Sequence, residues 1–293
     1  MQVYRGMDIG TAKPSPQEQA RIPHHLIDIK NPDEQFNVGE FVRRAEEACL
    51  AAAGRGALPV VSGGTGFYLK NLVQGLSEAP PSDLLIRQNL KAELLSRGAA
   101  SLMEELRGAD PVSAERIHIN DVYRLLRALE VYRLTGKPLS SFAASPKKVT
   151  DTFLLIGLRR SREELYRRIN ARTAAMFEAG LPAEVTRLYQ AGYTPSDPGL
   201  KAIGYREFFV EEGGTVSDTP DKSAWRLSRD MAGVQALIAQ NSRRYAKRQL
   251  TFFASLPDVQ WLDCGGNEGA AAAALEREIR AFLKRSALDD LHA

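Results

Sequence analysis

The sequence contains a glycine-rich turn of a kind that can hold a ligand. Gly63-Gly-Thr-Gly66 follows the apolar run Ala57–Val61 and precedes the amphipathic segment Phe67–Leu72. A strand, a glycine turn and a helix in this order are typical of α/β folds. Glycines let a backbone approach a ligand closely, and the free N–H groups at a helix start attract phosphate or another polar group. The same spacing also fits a tight strand-to-helix turn without a ligand, and both interpretations stay open.

A second glycine-containing segment, Gly6–Lys13, superficially resembles a phosphate-binding loop. In the P-loop pattern G-x-x-x-x-G-K-[ST], the lysine directly follows the second glycine. Here Thr11 and Ala12 separate Gly10 from Lys13, and no other segment of the sequence matches the pattern. We therefore assign no nucleotide loop to this segment.

Two arginines on one predicted helix could hold an anion between them. Arg168 and Arg172 lie four residues apart on a helix predicted to begin near Ser161. Like charges at that spacing repel by ~0.2–0.5 kcal/mol, and a bound anion would remove the repulsion. The spacing alone favours an exposed pair bridged to Glu164 or Glu178.

Basic residues also cluster at Arg243–Arg248, near the end of a long predicted helix. Cations suit the negative end of a helix dipole. Interleaved with Tyr245 and Phe252, they equally suit a phosphate backbone and unstacked bases. The spacing does not decide between the two. For Arg124 and Arg127, on an amphipathic helix, a solvated helix face is the simpler interpretation.

Composition and charge exclude several classes of protein. The chain has 293 residues, 44% of them hydrophobic and 26% charged, which is ordinary for a globular protein and not for a disordered one. No apolar run approaches the ~20 residues of a membrane helix. Cys49 and Cys264 are isolated, so we expect a cytoplasmic protein. None of the four histidines has another histidine or a cysteine at the spacing of metal ligands, so we expect no metal site. The net charge of +3 permits an anionic binding partner.

Hydrophobic periodicity predicts an α/β core interrupted by a helical insertion. The core would comprise residues 1–77 and 149–264, the insertion residues 78–148, and a helical tail residues 265–293. Predicted strands are Ala57–Val61, Thr152–Leu158 and Val259–Leu262. Predicted helices are Asn37–Ala53, Asp83–Arg97, Ala100–Arg107, Pro111–Arg116, Asp121–Thr135 and Lys222–Arg248, the last with Leu227, Met231, Val234, Ile238 and Tyr245 on one stripe.

Several segments, taken together, resemble the tRNA dimethylallyltransferases, also called tRNA isopentenyltransferases. The first, Tyr4–Pro14, is specific by itself, and the others follow in the family's order as far as Trp261. They are Pro23–Asp28, Gly63–Tyr68, Arg116–Asp121, Arg127–Glu130, Met176–Leu181, Ala202–Arg206 and Tyr245–Gln249.

The resemblance implies a fold, an activity and partners. The fold would be a parallel sheet core like that of P-loop kinases, with an insertion that grips the anticodon stem-loop of tRNA. The activity would be transfer of a dimethylallyl group from dimethylallyl diphosphate to the exocyclic amine of the adenosine 3′ to the anticodon. The resemblance also implies a need for Mg2+, and we expect a monomer that does not associate with membranes.

The resemblance assigns roles to individual residues. Arg172 would bind the diphosphate of the donor, and Thr65 would contact the target nucleotide. Arg87 would contact RNA from the insertion, and the stretches Tyr123–Arg127, Lys201–Arg206 and Ala246–Phe253 match RNA-contacting stretches of the family. The expected tRNA-binding residues are Gln2, Thr65, Arg87, Tyr123, Arg124, Arg127, Lys201, Gly204, Tyr205, Arg206, Lys247, Arg248 and Gln249.

The sequence departs from the family at its start. The family's P-loop and the aspartate that acts as its general base align upstream of Met1, so no catalytic residue is assigned. We therefore expect the chain as written to have a damaged fold, with exposed sheet edges and apolar surface, and little or no transfer activity. The alternatives are an adenylate isopentenyltransferase, a P-loop small-molecule kinase and an RNA-binding protein without catalysis.

Overall fold

The computed structural model is a mixed α/β protein and describes residues 1–142, 153–211, 222–265 and 268–289. Most of its regular structure is helical. The helices are α1 (Pro16–Arg21), α2 (Val38–Ala53), α3 (Gly66–Gln74), α4 (Leu84–Ala109), α5 (Pro111–Arg116), α6 (Val122–Thr135), α7 (Arg162–Glu178), α8 (Leu181–Gln190), α9 (Met231–Ala254) and α10 (Glu268–Asp289). The strands are β1 (Ile156–Arg159), β2 (Phe209–Glu211), β3 (Trp225–Leu227) and β4 (Gln260–Asp263).

The chain divides into two compact units. One comprises Met1–Val73 and Val149–Ala293, and the other comprises Gln74–Lys148. The first unit has a buried core of side chains from the N-terminal loop, α8, α9 and the segment between them, including Met7, Leu181 and Phe208. The second unit buries the facing sides of α4 and α6. Each unit therefore has a hydrophobic core of its own.

The first unit contains two small sheets. Strands β1 and β4 pair in parallel, with Ile156 opposite Gln260. Strands β2 and β3 pair antiparallel, with Phe209 opposite Leu227. The parallel pair confirms the strand predicted at Val259–Leu262 to within a residue. The start of the strand predicted from Thr152, like the linker residues 143–148, lies outside the described residues.

The strand predicted at Ala57–Val61 is wrong. The segment forms no strand, and Leu58 and Val60 are 51% and 76% exposed. A strand needs a neighbour to satisfy its backbone groups, and no strand within the described ranges pairs with this segment. The helix that follows it, α3, is present as predicted.

The long helix predicted from Lys222 begins only at Met231. Asp230 caps it, because its side chain accepts a hydrogen bond from the Gly233 N–H at 2.8 Å. Before the cap, Trp225–Leu227 pairs with β2 instead, and the Trp225 ring meets Phe209 edge-on at 6.5 Å. Leu227 therefore belongs to a strand and not to the predicted helical stripe.

The helices predicted in the second unit are confirmed. Helix α4 covers two of them, with Gly98 at φ +76° marking the kink between them. Helix α6 starts after the capping Asp121 and ends at Gly136, whose φ of +70° favours glycine. Across the described ranges, no helix combines the length and apolar character that crossing a membrane requires.

Candidate functional site

An open cleft of about 350 Å³ lies between the N-terminal loop and α7. Asp8, Ile9, Ala12 and Lys13 line one side, and Arg172 lines the other with small and apolar residues of α7. The two arginines of the predicted pair differ. Arg168 pairs with Glu164 at 2.8 Å, whereas the exposed Arg172 has neither an ion pair nor a hydrogen bond within the described chain. Arg172 therefore offers a free cation to the cleft.

Lys13 organises the opposite wall of the cleft. Its Nζ lies 2.5 Å from Asp8 Oδ1, 2.5 Å from Asp28 Oδ1 and 2.9 Å from the Tyr4 carbonyl oxygen, and its side chain is only 4% exposed. Ala12 and Asp28 adopt left-handed backbone conformations on either side of it, with φ of +47° and +53°. The lysine thus neutralises two carboxylates beside the cleft. No role was predicted for Lys13, although it falls in the specific segment Tyr4–Pro14.

Gln2 supports the same loop. Its side-chain amide donates to the carbonyl oxygens of Thr11 at 3.2 Å and Ala12 at 2.9 Å. The residue expected to contact tRNA is thus engaged with the loop, at the edge of the cleft wall.

The stretch Lys201–Arg206 has two exposed cations and a buried middle part. Lys201 and Arg206 are exposed, whereas Gly204 and Tyr205 are buried. The Tyr205 hydroxyl donates to Glu184 at 2.7 Å, and burial, together with the charge of Glu184, raises the pKa of Tyr205. Tyr205 therefore stays protonated and supports the stretch from beneath, with no exposed ring to offer a nucleotide.

The glycine turn packs against the C-terminal half of α9. The Gly64 carbonyl accepts hydrogen bonds from Gln249 Nε2 at 2.8 Å and from the Tyr245 hydroxyl at 3.3 Å. A Cβ built on Gly66 would lie 2.3 Å from the Phe252 ring. The glycines are thus required for close approach to a helix, in addition to any ligand.

Exposed polar and aromatic groups surround this contact. Thr65 is exposed at the start of α3, and Lys247 and Arg248 are exposed on α9. The Arg248 guanidinium lies 5.7 Å from the centre of the Tyr245 ring, which is 38% exposed. The structure therefore brings together Thr65, Lys247, Arg248 and Gln249, which are distant in sequence.

In the second unit, the expected RNA-binding residues surround a buried carboxylate. Glu130 is fully buried and pairs with Arg87 at 3.0 Å and Arg127 at 3.1 Å. The Arg87 guanidinium also lies 4.6 Å from the centre of the Tyr123 ring, which is 70% exposed. Arg124 is exposed beside them and pairs with Asp121 at 3.1 Å. These residues form one cationic and aromatic face of the unit.

Glu130 remains ionised in this setting. Burial by itself would raise the pKa of its carboxyl, but hydrogen bonds from Ser82, Arg127 and the Asp83 N–H outweigh burial and lower the pKa. The two arginines therefore have a fixed anionic anchor. Glu130 was not predicted as an anchor, although it belongs to the matched segment Arg127–Glu130.

Comparisons with known proteins place this chain in a family. The family model described as IPP transferase matches residues 2–256. The tRNA dimethylallyltransferase of Geobacter sulfurreducens is 43% identical over 269 residues, which cover 91% of this chain and 82% of that protein. The tRNA dimethylallyltransferase of Geobacillus kaustophilus is 42% identical over 282 residues, which cover 96% of this chain and 85% of that protein.

Solved structures agree with the sequence relatives. The tRNA isopentenylpyrophosphate transferase of Bacillus halodurans superposes with a TM-score of 0.64 at 35% identity, covering 99% of this chain and 88% of that one. A eukaryotic dimethylallyltransferase acting on tRNA superposes with a TM-score of 0.74 at 26% identity, and the match covers 96% of this chain and 71% of that one. The sequence resemblance is thereby confirmed: this chain belongs to the IPP transferase family of tRNA dimethylallyltransferases.

Proposed function

We propose that this chain transfers a dimethylallyl group from dimethylallyl diphosphate to the exocyclic amine of the adenosine 3′ to the anticodon of a tRNA. The observation that carries the proposal is Arg172, a cation in the cleft opposite the loop Asp8–Lys13 that has no ion pair among the residues the structure describes. An unpaired guanidinium binds phosphate oxygens bidentately and keeps its charge at any pH of interest.

The reaction needs such a cation because of where charge develops. The new bond joins the adenosine nitrogen to the allylic carbon, and the bond that breaks joins that carbon to a diphosphate oxygen. The electron pair of the broken bond leaves with the diphosphate, so negative charge grows on its oxygens. Arg172 is suited to stabilise that charge in the transition state. The amine nitrogen gives up one proton to a base as the new bond forms.

The proposed RNA-binding residues fall into two groups that suit an anticodon stem-loop. In the first unit, Thr65 and the exposed end of α9 combine cations with the Tyr245 ring, on which an unstacked base can lie. Lys201 and Arg206 add exposed cations. In the second unit, Arg87, Tyr123, Arg124 and Arg127 offer the same chemistry, as expected of an insertion (residues 78–148) that grips RNA.

The residues beside the cleft do not fit a resident Mg2+ site. Asp8 and Asp28 are both paired with Lys13, and a search of the described residues finds no group of three or more carboxylate, histidine or cysteine ligands. Mg2+ commonly binds through one or two carboxylates together with substrate phosphates. We therefore propose Mg2+ dependence on the family resemblance alone. A monomeric state and a cytoplasmic location are likewise proposals.

The test is a transfer assay with the 293-residue chain, labelled dimethylallyl diphosphate and a synthetic anticodon stem-loop. The proposal predicts label on the adenosine 3′ to the anticodon and no label on a stem-loop with guanosine at that position. That outcome would contradict the little or no transfer expected from the sequence. Label on free AMP but not on the stem-loop would instead identify an adenylate isopentenyltransferase. Salt-dependent binding of the stem-loop without transfer would identify an RNA-binding protein without catalysis.

A further inference from the structure

Glu184 fills an anion site made by the backbone of the N-terminal loop. Its carboxylate accepts hydrogen bonds from the N–H groups of Asp8 at 3.1 Å, Ile9 at 2.8 Å and Gly10 at 3.3 Å. Successive N–H groups that converge in this way form a concave site for an anion. Glu184 is only 1% exposed, so the anion bound there is part of the protein itself.

Tyr205 joins a second loop to the same carboxylate. Its hydroxyl donates to Glu184 Oε1 at 2.7 Å, and its ring covers Gly10, where a Cβ would lie 2.6 Å from ring atoms. The stretch that contains Tyr205 is also fixed from its other side. Glu207 accepts from the Gly204 N–H at 2.9 Å and from Asn241 of α9 at 2.8 Å.

The position of Glu184 relates these contacts to the cleft. Glu184 lies in the first turn of α8, which begins right after Gly180. The preceding helix, α7, ends at Glu178 and carries Arg172. The loop that Glu184 holds contributes Asp8, Ile9, Ala12 and Lys13 to the opposite wall. The carboxylate therefore sets where the loop stands relative to Arg172.

We propose that Glu184 is a positioning residue for the cleft and that Tyr205 couples the cleft to the Lys201–Arg206 stretch. An anion bound between Arg172 and the loop orders the loop, and the Glu184–Tyr205 hydrogen bond transmits that order to the stretch with the two exposed cations. The factor by which an anion in the cleft raises the affinity of the stretch for RNA must then equal the factor by which bound RNA raises the affinity of the cleft for the anion. The identity of the two ligands, a diphosphate and an RNA, rests on the proposed function.

The first experiment measures hydrogen–deuterium exchange in the 293-residue chain without ligands. The variants are Glu184→Gln, which keeps the shape but sets an NH2 group against N–H donors, and Tyr205→Phe, which removes one hydroxyl. In Glu184→Gln we expect exchange at Asp8–Gly10 to be at least about fivefold faster. Tyr189→Phe is the matched control, because its hydroxyl donates to the Trp225 carbonyl at 2.8 Å and not to the loop. Unchanged exchange at Asp8–Gly10 in Glu184→Gln overturns the proposal.

The second experiment measures coupling with inorganic pyrophosphate as the probe. In the unaltered chain we expect pyrophosphate to slow exchange both in the loop and in the Lys201–Arg206 stretch. In Tyr205→Phe the loop should still respond and the stretch should not, which a purely structural role would not produce. A stretch that responds equally in Tyr205→Phe and in Tyr189→Phe overturns the coupling.

The transfer assay separates this inference from the proposed function. If the chain transfers the dimethylallyl group, Glu184→Gln should raise the KM for dimethylallyl diphosphate about tenfold, since small displacements of binding groups are costly. Normal transfer kinetics in Glu184→Gln would overturn the positioning role and leave the function intact. If the unaltered chain transfers nothing, the function fails, and the exchange measurements still decide whether Glu184 and Tyr205 hold the two loops together.

Discussion

Gln249 of α9 donates its side-chain amide to the Gly64 carbonyl at 2.8 Å, and no side chain larger than hydrogen fits at Gly64 in this arrangement. A Cβ built there would lie 2.1 Å from the same Gln249 nitrogen. The glycine turn and the end of α9, which are 185 residues apart in sequence, therefore form one continuous surface. Thr65 and the exposed cations of α9 therefore lie on the same surface.

We expect substitutions at the first and last glycines of the turn, Gly63 and Gly66, to differ sharply in their effect on stability. A Cβ at Gly66 would lie 2.3 Å from the Phe252 ring, so Gly66→Ala must displace an aromatic side chain. The cost should be about 1–3 kcal/mol in the free energy of unfolding, measured in urea. Gly63→Ala is the control, because a Cβ there meets nothing within 4 Å. Equal stability of the two variants would contradict the packing described here.

The sequence predicted local features well, because their causes lie within a few residues. The start of α6 at the capping Asp121 and its end at Gly136 follow from capping chemistry. The strand predicted at Ala57–Val61 and the early start of the long helix were wrong for a different reason. Whether an apolar run forms a strand depends on a partner elsewhere in the chain, as the pairing of Trp225–Leu227 with β2 shows.

The candidate site was predictable only in part. Residue types and family resemblance identified Arg172, but its difference from Arg168 depends on Glu164, which pairs with Arg168 and Arg167 and not with Arg172. The contact of Glu184 with Asp8–Gly10 spans about 175 residues and involves backbone N–H groups, which every residue except proline carries. No sequence pattern points to such a contact.

Arg172 should affect transfer far more than stability. Because Arg172 is exposed and pairs with none of the described residues, Arg172→Gln should change the free energy of unfolding by less than about 0.5 kcal/mol. If it stabilises the leaving diphosphate, the same change should lower kcat/KM for dimethylallyl diphosphate about 100-fold. Arg167→Gln is the matched control, because Arg167 lies on the same helix and pairs with Glu164 at 2.9 Å. Similar losses of activity in both variants would remove the special role of Arg172.

Substitutions at Arg124 and Arg127 should have different effects, the first on RNA binding and the second on the stability of the second unit. Arg124 is 72% exposed, so Arg124→Gln should leave stability unchanged and reduce the salt dependence of stem-loop binding by about one released ion. Arg127→Gln should instead destabilise the unit by about 3 kcal/mol, because it removes a partner of the fully buried Glu130. Fluorescence anisotropy at several salt concentrations and urea unfolding measure the two effects. An unchanged salt dependence in Arg124→Gln would argue against an RNA contact there.

An ion-pair network across the kink of α4 should make the second unit sensitive to acid. Arg133 contacts Glu93 at 2.5 Å and Glu105 at 2.6 Å, and Arg97 contacts the same two carboxylates at 2.7 Å and 3.0 Å. Hydrogen bonding from Arg133 lowers the pKa of Glu93 to about 2, from an ordinary value of 4.5. A carboxyl whose pKa is lower in the folded state stabilises the fold fully above its unfolded pKa and loses that contribution as pH falls through the folded pKa.

The network's contribution should therefore decline between pH 4.5 and pH 2, the interval between the two pKa values of Glu93. Glu93→Gln should lower stability by about 1 kcal/mol at pH 6 and have a smaller effect near pH 2.5, because below pH 4.5 the unfolded state of the unaltered chain gains stability by protonating Glu93. Urea unfolding at both pH values measures the difference. Glu104→Gln is the matched control, since Glu104 pairs with Arg107 at 2.5 Å but is 73% exposed, and its effect should be small at both pH values. If Glu93→Gln lowers the free energy of unfolding equally at both pH values, the charge of the Glu93 carboxylate does not stabilise the second unit.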